Sequence, residues 1–502
     1  MRRYLSVILV LGLLALAGCG GGDDSGSALD EALAVLPKDA PFAVAVDTDV
    51  EGDQFKALDK LVGKFPFSGQ IKEGLKNGIE ESGGGLDYEE DVKPLLGNPL
   101  VVGALDAGAI TDESNDNLLA AVKVKDKDKL DDLISKTKPR KAGEASGADI
   151  YHEGDTTFAV KDDLVVFANS DAQLKSALER ADGDDHLDED TFNEGLSGLP
   201  DKALARIYAD VEALLKSDPG SADARRIKWI AALRQVGATL TAKDDGLDID
   251  FRARTEGDLS DDDLPIAPGD EAPPVIRRPG EIGLGIRDLA HIVTFAENAG
   301  QSIDPAGFGD YEQAKKTIDR QLGVSLDDDL IAQLDGDVSA SVALDGGFGV
   351  RADLKDPAAF EKTLAKVSDV LPSFAEGAGF GQVRLSKPRG SNGFYSLTQA
   401  DGGTVVFGVV DDVLVVADDA RRAAALAGAE PAEVPDAKGS VTLSVDAQEL
   451  VGEILSRFGP ALGLGDLGSV GIGMFAGPLD DLDGWMSASP DELKGKLTLA
   501  VE

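Results

Sequence analysis

Residues 158–168 read FAVKDDLVVFA, and this stretch decides the fold. Two runs of β-branched and aromatic residues flank an Asp-Asp pair, which is typical of two antiparallel strands joined by a tight turn. Residues 407–417 read FGVVDDVLVVA and repeat the pattern in the second half of the chain. The sequence therefore predicts two copies of one β-hairpin.

Further anchors recur in the same order in the two halves. The paired ranges are 42–46 with 282–286, 87–105 with 325–344, 124–134 with 354–364, 207–210 with 443–446, and 247–251 with 497–501. Ordered self-similarity indicates an internal repeat. Because each copy alternates single helices with hairpins, we expect an α+β fold: a tandem duplication of two antiparallel-sheet domains with helices packed on one face.

The expected organisation has five segments. A lipoprotein signal peptide at residues 1–18 precedes a flexible tether at 19–28, and the two repeats span 29–256 and 281–502. Residues 257–280 are rich in Pro and Asp, which excludes a central strand and disfavours a continuous helix. We therefore assign residues 257–280 as the linker between the repeats.

The N-terminal residues carry an export signal. Arg2 and Arg3 precede an apolar run at 4–17 that is shorter than the ~20 residues of a membrane-spanning helix. The run ends in LAGC, which resembles the lipobox of bacterial lipoproteins, and Cys19 is the only cysteine. The resemblance implies acylation of Cys19, with the body of the protein exported and anchored by lipid to the extracytoplasmic side of the cell membrane. A free cysteine at the end of an uncleaved anchor is the alternative.

Composition narrows the range of functions. Asp and Glu number 92 against 49 Lys and Arg, giving a net charge of −43, which repels nucleic-acid phosphates. One cysteine excludes an intramolecular disulfide, and three histidines offer little material for a Cys/His zinc site. We expect no nucleic-acid partner, no cofactor and no metal.

Candidate catalytic residues are few. His152, His186 and His291 share no metal-ligand spacing, and a structural role is favoured for each over that of a catalytic base. Residues 463–468 read GLGDLG and fit a dinucleotide fingerprint, but a helical pattern precedes them and a strand follows, which is the reverse of the required order. The sequence predicts a protein that is not an enzyme.

An acidic loop imitates part of a calcium-binding motif. Residues 47–52 read DTDVEG, as at the start of an EF-hand loop. Leu58 stands at the twelfth position, where a bidentate Glu is required, and the loop follows a strand rather than a helix. We therefore expect no specific calcium site here.

A basic island interrupts the acidic sequence. Residues 225–230 read RRIKWI, a helix-compatible stretch with a tryptophan. An ordinary amphipathic helix that buries Ile227, Ile230 and Leu233 is the favoured interpretation.

Loop aromatics are the candidate ligand-binding residues. Phe65 and Phe67 flank a proline, and Phe374 and Phe380 lie in or beside a Gly-rich stretch. Such side chains can form a mobile rim over an apolar cavity, and simple docking onto the sheet is the alternative. These four phenylalanines are our predicted rim.

The start of the first repeat resembles a known family. Residues 36–41 read LPKDAP and precede an alternating strand that ends at Asp47, after which residues 52–54 enter a helix. This order is similar to that of the bacterial lipoproteins and secreted proteins grouped as the domain-of-unknown-function 3352 family. The resemblance implies location and architecture only, since that family has no assigned reaction, ligand or catalytic residue.

The sequence thus predicts a membrane-anchored extracytoplasmic lipoprotein that acts as a non-catalytic binding or scaffolding protein. Its candidate partners are the membrane, through acylated Cys19, and envelope proteins or an apolar ligand. A carrier of an apolar or lipid-like ligand is the first alternative, which a large apolar cavity would favour. An extracytoplasmic hydrolase is the second, which a histidine converging with Ser and Asp in a cleft would favour.

Overall fold

The computed structural model describes most of the chain. The described residues are 25–66, 68–69, 73–74, 86–108, 117–154, 156–343, 346–377, 382–387, 393–399, 402–458 and 476–502. The predicted signal peptide, Cys19, Phe67, Phe380 and the stretch 463–468 lie outside them.

The described chain forms two compact units, and each unit is made of segments that are not consecutive in the sequence. The first unit takes the chain up to Ala222 and adds Leu233–Arg254 and Val501–Glu502. The second unit takes Asp223–Ala232 and Thr255–Ala500. This division differs from the predicted repeats because it gives residues 223–232, together with the predicted linker, to the second unit.

The first unit is built on a ten-stranded sheet. Its strands are β1 (Phe42–Val46), β2 (Leu100–Ala104), β3 (Leu118–Lys123), β4 (Arg140–Ala145), β5 (Ala148–Glu153), β6 (Thr156–Lys161), β7 (Leu164–Ala168), β8 (Ala205–Asp210), β9 (Leu233–Lys243) and β10 (Gly246–Thr255). Neighbouring strands are hydrogen-bonded in the order β4-β5-β6-β7-β3-β2-β1-β8-β9-β10 and run antiparallel from β4 to β9. The predicted hairpin at residues 158–168 is confirmed as β6 and β7, with Asp162 in the turn at a φ of +55°.

Four of the described helices of the first unit begin at capping side chains. The described helices of this unit are α1 (Ser25–Leu33), α2 (Asp53–Gly63), α3 (Lys127–Thr137), α4 (Asp171–Ala181), α5 (Glu189–Gly195) and α6 (Val211–Ser217). The four with capping side chains are α3 to α6. Asp126, Ser170 and Asp188 each accept a hydrogen bond from a backbone N–H in the first turn of the helix that follows. Such caps satisfy amides that have no partner inside the helix.

Helices cover both faces of this sheet. Val166 of β7 lies in the hydrophobic cluster of Leu33 from α1 and Leu174 from α4, whereas its neighbour Val165 lies in the cluster of Leu130 from α3. Consecutive strand residues point to opposite faces. The prediction of helices on one face is therefore wrong, because strands such as β7 carry apolar residues on both sides and both sides need cover.

The second unit is built on a sheet with the same connections. Its strands are β11 (Glu281–Arg287), β12 (Asp337–Ala343), β13 (Phe348–Asp353), β14 (Val383–Ser386), β15 (Tyr395–Gln399), β16 (Thr404–Val410), β17 (Val413–Ala417), β18 (Val441–Asp446), β19 (Leu479–Ser489) and β20 (Glu492–Val501). They are hydrogen-bonded in the order β14-β15-β16-β17-β13-β12-β11-β18-β19-β20. This is the strand order of the first unit, with β11 in the place of β1, β12 in the place of β2, and so on to β20 in the place of β10. The predicted hairpin at residues 407–417 is confirmed as β16 and β17, with Asp411 and Asp412 at positive φ.

The longest described helices lie in the second unit. The described helices of this unit are α7 (Lys228–Ala232), α8 (Leu289–Ile303), α9 (Pro305–Leu322), α10 (Leu326–Asp329), α11 (Pro357–Gly377), α12 (Ala420–Ala427) and α13 (Ala447–Phe458), of which α8, α9 and α11 are the longest. In the basic island, α7 packs the Trp229 ring against Leu264. The helix is shorter than the predicted amphipathic one, since Ile227 precedes it and Leu233 begins β9, and Ile227, Ile230 and Leu233 are only partly buried.

The predicted linker is packed into the second unit. Leu264 and Val275 are completely buried, and Val275 exchanges backbone hydrogen bonds of 2.8 and 2.7 Å with Ala432. We call residues 264–276 the strap. The Pro and Asp content correctly excluded a strand or long helix, but it concealed the apolar residues between the prolines, which anchor this irregular segment.

Candidate functional site

A half-buried charged cluster in the first unit is the candidate site. Its members are Asp30, Asp47, Glu189, Asn193 and Arg206. They come from α1, the end of β1, α5 and the start of β8. Pairing of β1 with β8 brings Asp47 beside Arg206, since the Asp47 backbone N–H donates to the Leu204 carbonyl at 2.9 Å.

Arg206 is held by an aromatic ring and an amide. Its guanidinium carbon lies 5.6 Å from the centre of the Phe192 ring, and its Nη1 donates to Asn193 Oδ1 at 3.4 Å. The Asn193 amide in turn donates to Glu189 Oε1 at 3.3 Å. The Glu189 backbone N–H donates to Asp30 Oδ1 at 2.9 Å. These contacts therefore tie α5 and, through it, α1 to β8.

Burial disfavours the charged form of each principal member. It raises the pKa of Asp47 to about 6, against an ordinary value of 3.8, and it also raises the pKa of Glu189. Burial lowers the pKa of Arg206. Burial therefore makes Asp47 keep its proton to a higher pH than an exposed aspartate does.

The acidic loop that follows Asp47 binds its own backbone. Asp47 Oδ1 accepts from the Asp49 N–H at 2.8 Å, and Asp49 Oδ1 accepts from the Glu51 N–H at 3.2 Å. These are turns of the kind that Asp side chains form with nearby amides. Across the described parts of the chain, no group of three or more His, Cys, Asp or Glu residues is placed to hold a metal ion.

His152 has both ring nitrogens engaged. Its Nε2 lies 2.6 Å from Asp171 Oδ1, and its Nδ1 lies 2.5 Å from Nη2 of Arg140. A general base needs a free nitrogen facing the nucleophile. The pairing of His152 with Asp171 therefore fixes the ring between β5 and α4 and leaves no nitrogen for a serine.

The other two histidines have structural surroundings. His291 Nε2 lies 3.0 Å from the Leu264 carbonyl oxygen, which joins α8 to the strap. His186 takes part in a β-bridge with Pro37, and its buried Nδ1 has no hydrogen-bond partner among the described residues. Neither contact brings a serine hydroxyl to a ring nitrogen, so the hydrolase alternative gains no support.

The predicted aromatic rim is only partly visible. Phe65 follows α2, is half-buried, and donates its backbone N–H to the Val62 carbonyl at 3.0 Å. Phe374 lies in α11, where its side chain is outside the described part of the structure, and Phe67 and Phe380 lie outside it entirely. The rim therefore stays a prediction.

A cavity of about 230 Å³ lies in the second unit. Its lining includes the strap residues Pro268, Gly269 and Asp270, together with Glu492 and Lys494, whose charged groups pair at 2.9 Å. The cavity is small and has a mixed polar and apolar lining, and so it differs from the large apolar cavity that a lipid carrier requires.

The charged cluster was missed by sequence reasoning because its members are far apart in the chain. One signal was available: Arg206 puts a cation on the same side of β8 as Tyr208, which is buried. A cation at an inward position of a strand points to a polar partner inside the fold.

The geometry on both sheets defines an α+β protein with helices packed on antiparallel strands. The family model described as a protein of unknown function, DUF3352, matches residues 4–374. Since this match covers more than half of the 502 residues, the chain belongs to the DUF3352 family, and the resemblance seen in the sequence is confirmed. No curated protein matches the chain.

Three solved crystal forms of TP0453 are similar to parts of this chain. Form IV has 9% identity and a TM-score of 0.26 over 44% of this chain and 80% of that one. Form III has 10% identity and a TM-score of 0.26 over 46% of this chain and 81% of that one. Form I has 11% identity and a TM-score of 0.25 over 45% of this chain and 80% of that one. TM-scores this low support no conclusion about fold or function. In the described residues no helix has the length and apolar character needed to cross a membrane.

Proposed function

We propose that the protein is a membrane-anchored extracytoplasmic lipoprotein that acts as a non-catalytic binding or scaffolding protein, built by tandem duplication of one α+β unit. The observation that carries the proposal is that the ten described strands of each unit are hydrogen-bonded in the same order. A repeated framework with different surface residues is a common way to present binding surfaces without chemistry.

The registers of the two sheets support the duplication. Ala43 of β1 lies opposite Tyr208 of β8, and Gly283 of β11 lies opposite Ser444 of β18, as the sequence anchors require. The two isolated β-bridges also correspond. Pro37 pairs with His186 ahead of β1, and Val275 pairs with Ala432 ahead of β11. On this basis the strap is the leading segment of the second copy, and the linker is shorter than residues 257–280.

The engagement of polar side chains with one another supports a non-catalytic role. His152 is held by Asp171 and Arg140, and Arg206 by Phe192 and Asn193. These groups are already paired inside the fold, which suits structural stabilisation rather than turnover.

Lipid attachment at Cys19 is tested by metabolic labelling with an alkyne fatty acid. We expect the full-length protein to take up label and to sediment with membranes, and Cys19→Ser to lose both properties because the thiol is unique. Equal labelling of the two proteins would reject the anchor. The carrier alternative is tested on delipidated protein, where saturable binding of an apolar fluorescent probe, displaced by a long-chain lipid, would replace the scaffold role.

A further inference from the structure

The strap is held on the sheet by hydroxyl side chains. Four of its carbonyl oxygens accept hydrogen bonds from residues of β12, β19 and the β18 region. The donor and acceptor pairs are Ser440 with Ala267, Ser487 with Gly269 (3.4 Å), Thr442 with Pro273 (2.7 Å) and Ser339 with Pro274 (2.9 Å). Because proline has no N–H, the strap uses its carbonyls and does not join the strand ladder there.

Two glycines of β11 allow the strap to approach the sheet. A Cβ atom at Gly285 would lie 2.3 Å from Thr442 Oγ1 and 2.7 Å from the Pro274 carbonyl oxygen. A Cβ atom at Gly283 would lie 2.9 Å from the Ile276 carbonyl oxygen. Glycine weakens a strand interior, so its use at both positions is explained by this close backbone contact.

The surface beneath the strap is lined by hydroxyl groups. Ser339, Ser341 and Thr442 are buried there beside the β11 glycines. In the first unit, the positions of β1 that correspond to the two β11 glycines are Ala43 and Ala45, which lie in the main hydrophobic cluster. Exposing the surface beneath the strap to water returns hydroxyl groups to solvent. Exposing the β1 surface returns apolar area to solvent, which is far less favourable.

The middle of the strap is loosely packed between two firm ends. Pro268, Gly269 and Asp270 are exposed and line the cavity of about 230 Å³. At one end Leu264 packs in the cluster of Trp229, and at the other Ile276 packs in the cluster that contains the α12 side chains. A segment that is anchored at both ends and has open space beside its exposed middle is able to move without unfolding its anchors.

We propose that the middle of the strap, residues 267–274, is releasable. It lifts from the hydroxyl-lined face of the second unit in the folded protein, while the apolar anchors Leu264 and Ile276 at the two ends of the strap stay in place. This device is independent of the function proposed above. Release breaks side-chain hydrogen bonds, each of modest net strength in water, and exposes the small side chains of Ala267 and Pro273.

Thiol labelling of single-cysteine variants tests the release. In the full chain carrying Cys19→Ser, the introduced Ser339→Cys thiol lies beneath the strap, and Ala352→Cys lies on the adjacent strand β13 facing the opposite side. We expect Ellman's reagent to label Ser339→Cys about tenfold faster, at a rate nearly independent of low urea concentrations, since local opening exposes little surface. Equal rates with the same urea dependence would mean that only unfolding of the unit exposes Ser339, and would overturn the proposal.

A second pair of variants guards against a local disturbance by the new thiol. Thr442→Val removes the hydrogen bond to Pro273 with little change of shape, and we expect it to speed labelling of Ser339→Cys by roughly fivefold. Thr363→Val alters a buried threonine of α11 and is expected to leave that rate unchanged. If Ser339→Cys fails to fold, Ser487→Cys, beneath Gly269, takes its place in the same comparison. Equal effects of the two threonine variants on the labelling rate of Ser339→Cys would contradict release of the strap.

Discussion

Val165 and Val166 are adjacent in β7, yet their side chains belong to separate hydrophobic clusters on opposite faces of the first sheet. The cluster of Val166 is the larger and joins α1, α4 and α5, whereas that of Val165 joins α3. Stability of the first unit therefore depends on helix packing on both sides of one sheet.

Truncation of either valine should destabilise the first unit. We expect Val165→Ala and Val166→Ala each to lower the free energy of unfolding by about 2 kcal/mol, through lost apolar contact and the cavity left behind. Val342→Ala changes a valine that is 42% exposed and should cost less than about 0.5 kcal/mol. Urea unfolding followed by circular dichroism measures all three. A neutral Val165→Ala would show that α3 contributes no core.

The pH dependence of stability should change at Asp47. Its folded pKa of about 6 exceeds the ordinary 3.8, so its favourable contribution is complete below pH 3.8 and is lost as pH rises through 6. We expect Asp47→Asn, which keeps the acceptor oxygen for the Asp49 N–H, to be more stable than wild type at pH 7 by roughly 1–2 kcal/mol and to equal it near pH 4. Asp184→Asn makes the same charge change at an exposed site and should show no such crossover. Thermal unfolding of the three proteins from pH 4 to 8 measures these differences in stability, and a constant difference between Asp47→Asn and wild type would contradict the prediction.

Lys315 should be essential to the helical part of the second unit. Its side chain is 6% exposed, and its ammonium group lies 2.9 Å from Glu297, 2.7 Å from Asp327 and 3.4 Å from Glu312. Burial alone would lower the pKa of Lys315, but the hydrogen bonds that its ammonium donates to Asp327 and Glu297 raise the pKa above its ordinary value.

We expect Lys315→Met to cost about 3 kcal/mol at pH 7, because three carboxylates then lose their common cation. The matched control is Lys316→Met, because the Lys316 side chain is 66% exposed and its ammonium pairs with Glu312 at the longer distance of 3.5 Å. That change should cost less than about 0.5 kcal/mol. Equal losses in chemical denaturation would contradict a special role for the buried lysine.

Trp229 should stabilise the second unit although it precedes β9 of the first. Its ring packs against Leu264, Ile266 and Ala488. We expect Trp229→Ala to lower the free energy of unfolding by about 3 kcal/mol and to loosen the second unit in hydrogen-exchange mass spectrometry. Arg225→Ala, at an exposed position of the same segment, is the control. Increased exchange confined to β8 and β9 would place this segment with the first unit instead.

The two hairpins were predictable because their signal is local. The Asp-Asp pairs at 162–163 and 411–412 supply residues that tolerate positive φ, and the flanking residues favour strands. The family was predictable from another local stretch, residues 36–54, and the family match to residues 4–374 confirms it.

Features that depend on distant packing were not predictable. The sequence does not say which face of β7 a helix will cover, and α3 covers the side opposite α1. The strap was hidden for the same reason, since the hydroxyls that hold it lie on β12 and β18, far along the chain from Pro273. Arg206 meets Asp47 only after β1 pairs with β8.

The first unit is completed by residues made near the end of the 502-residue sequence. Val501 is buried, its backbone N–H donates to the Asp245 carbonyl at 2.8 Å, and its own carbonyl oxygen accepts from the Lys64 ammonium at 2.5 Å. A chain that emerges from the ribosome or crosses a membrane from its N-terminus therefore presents nearly all of the second unit before the first can close. During that interval the first unit, although it starts to fold earlier, is the incompletely folded unit that a protease or chaperone encounters.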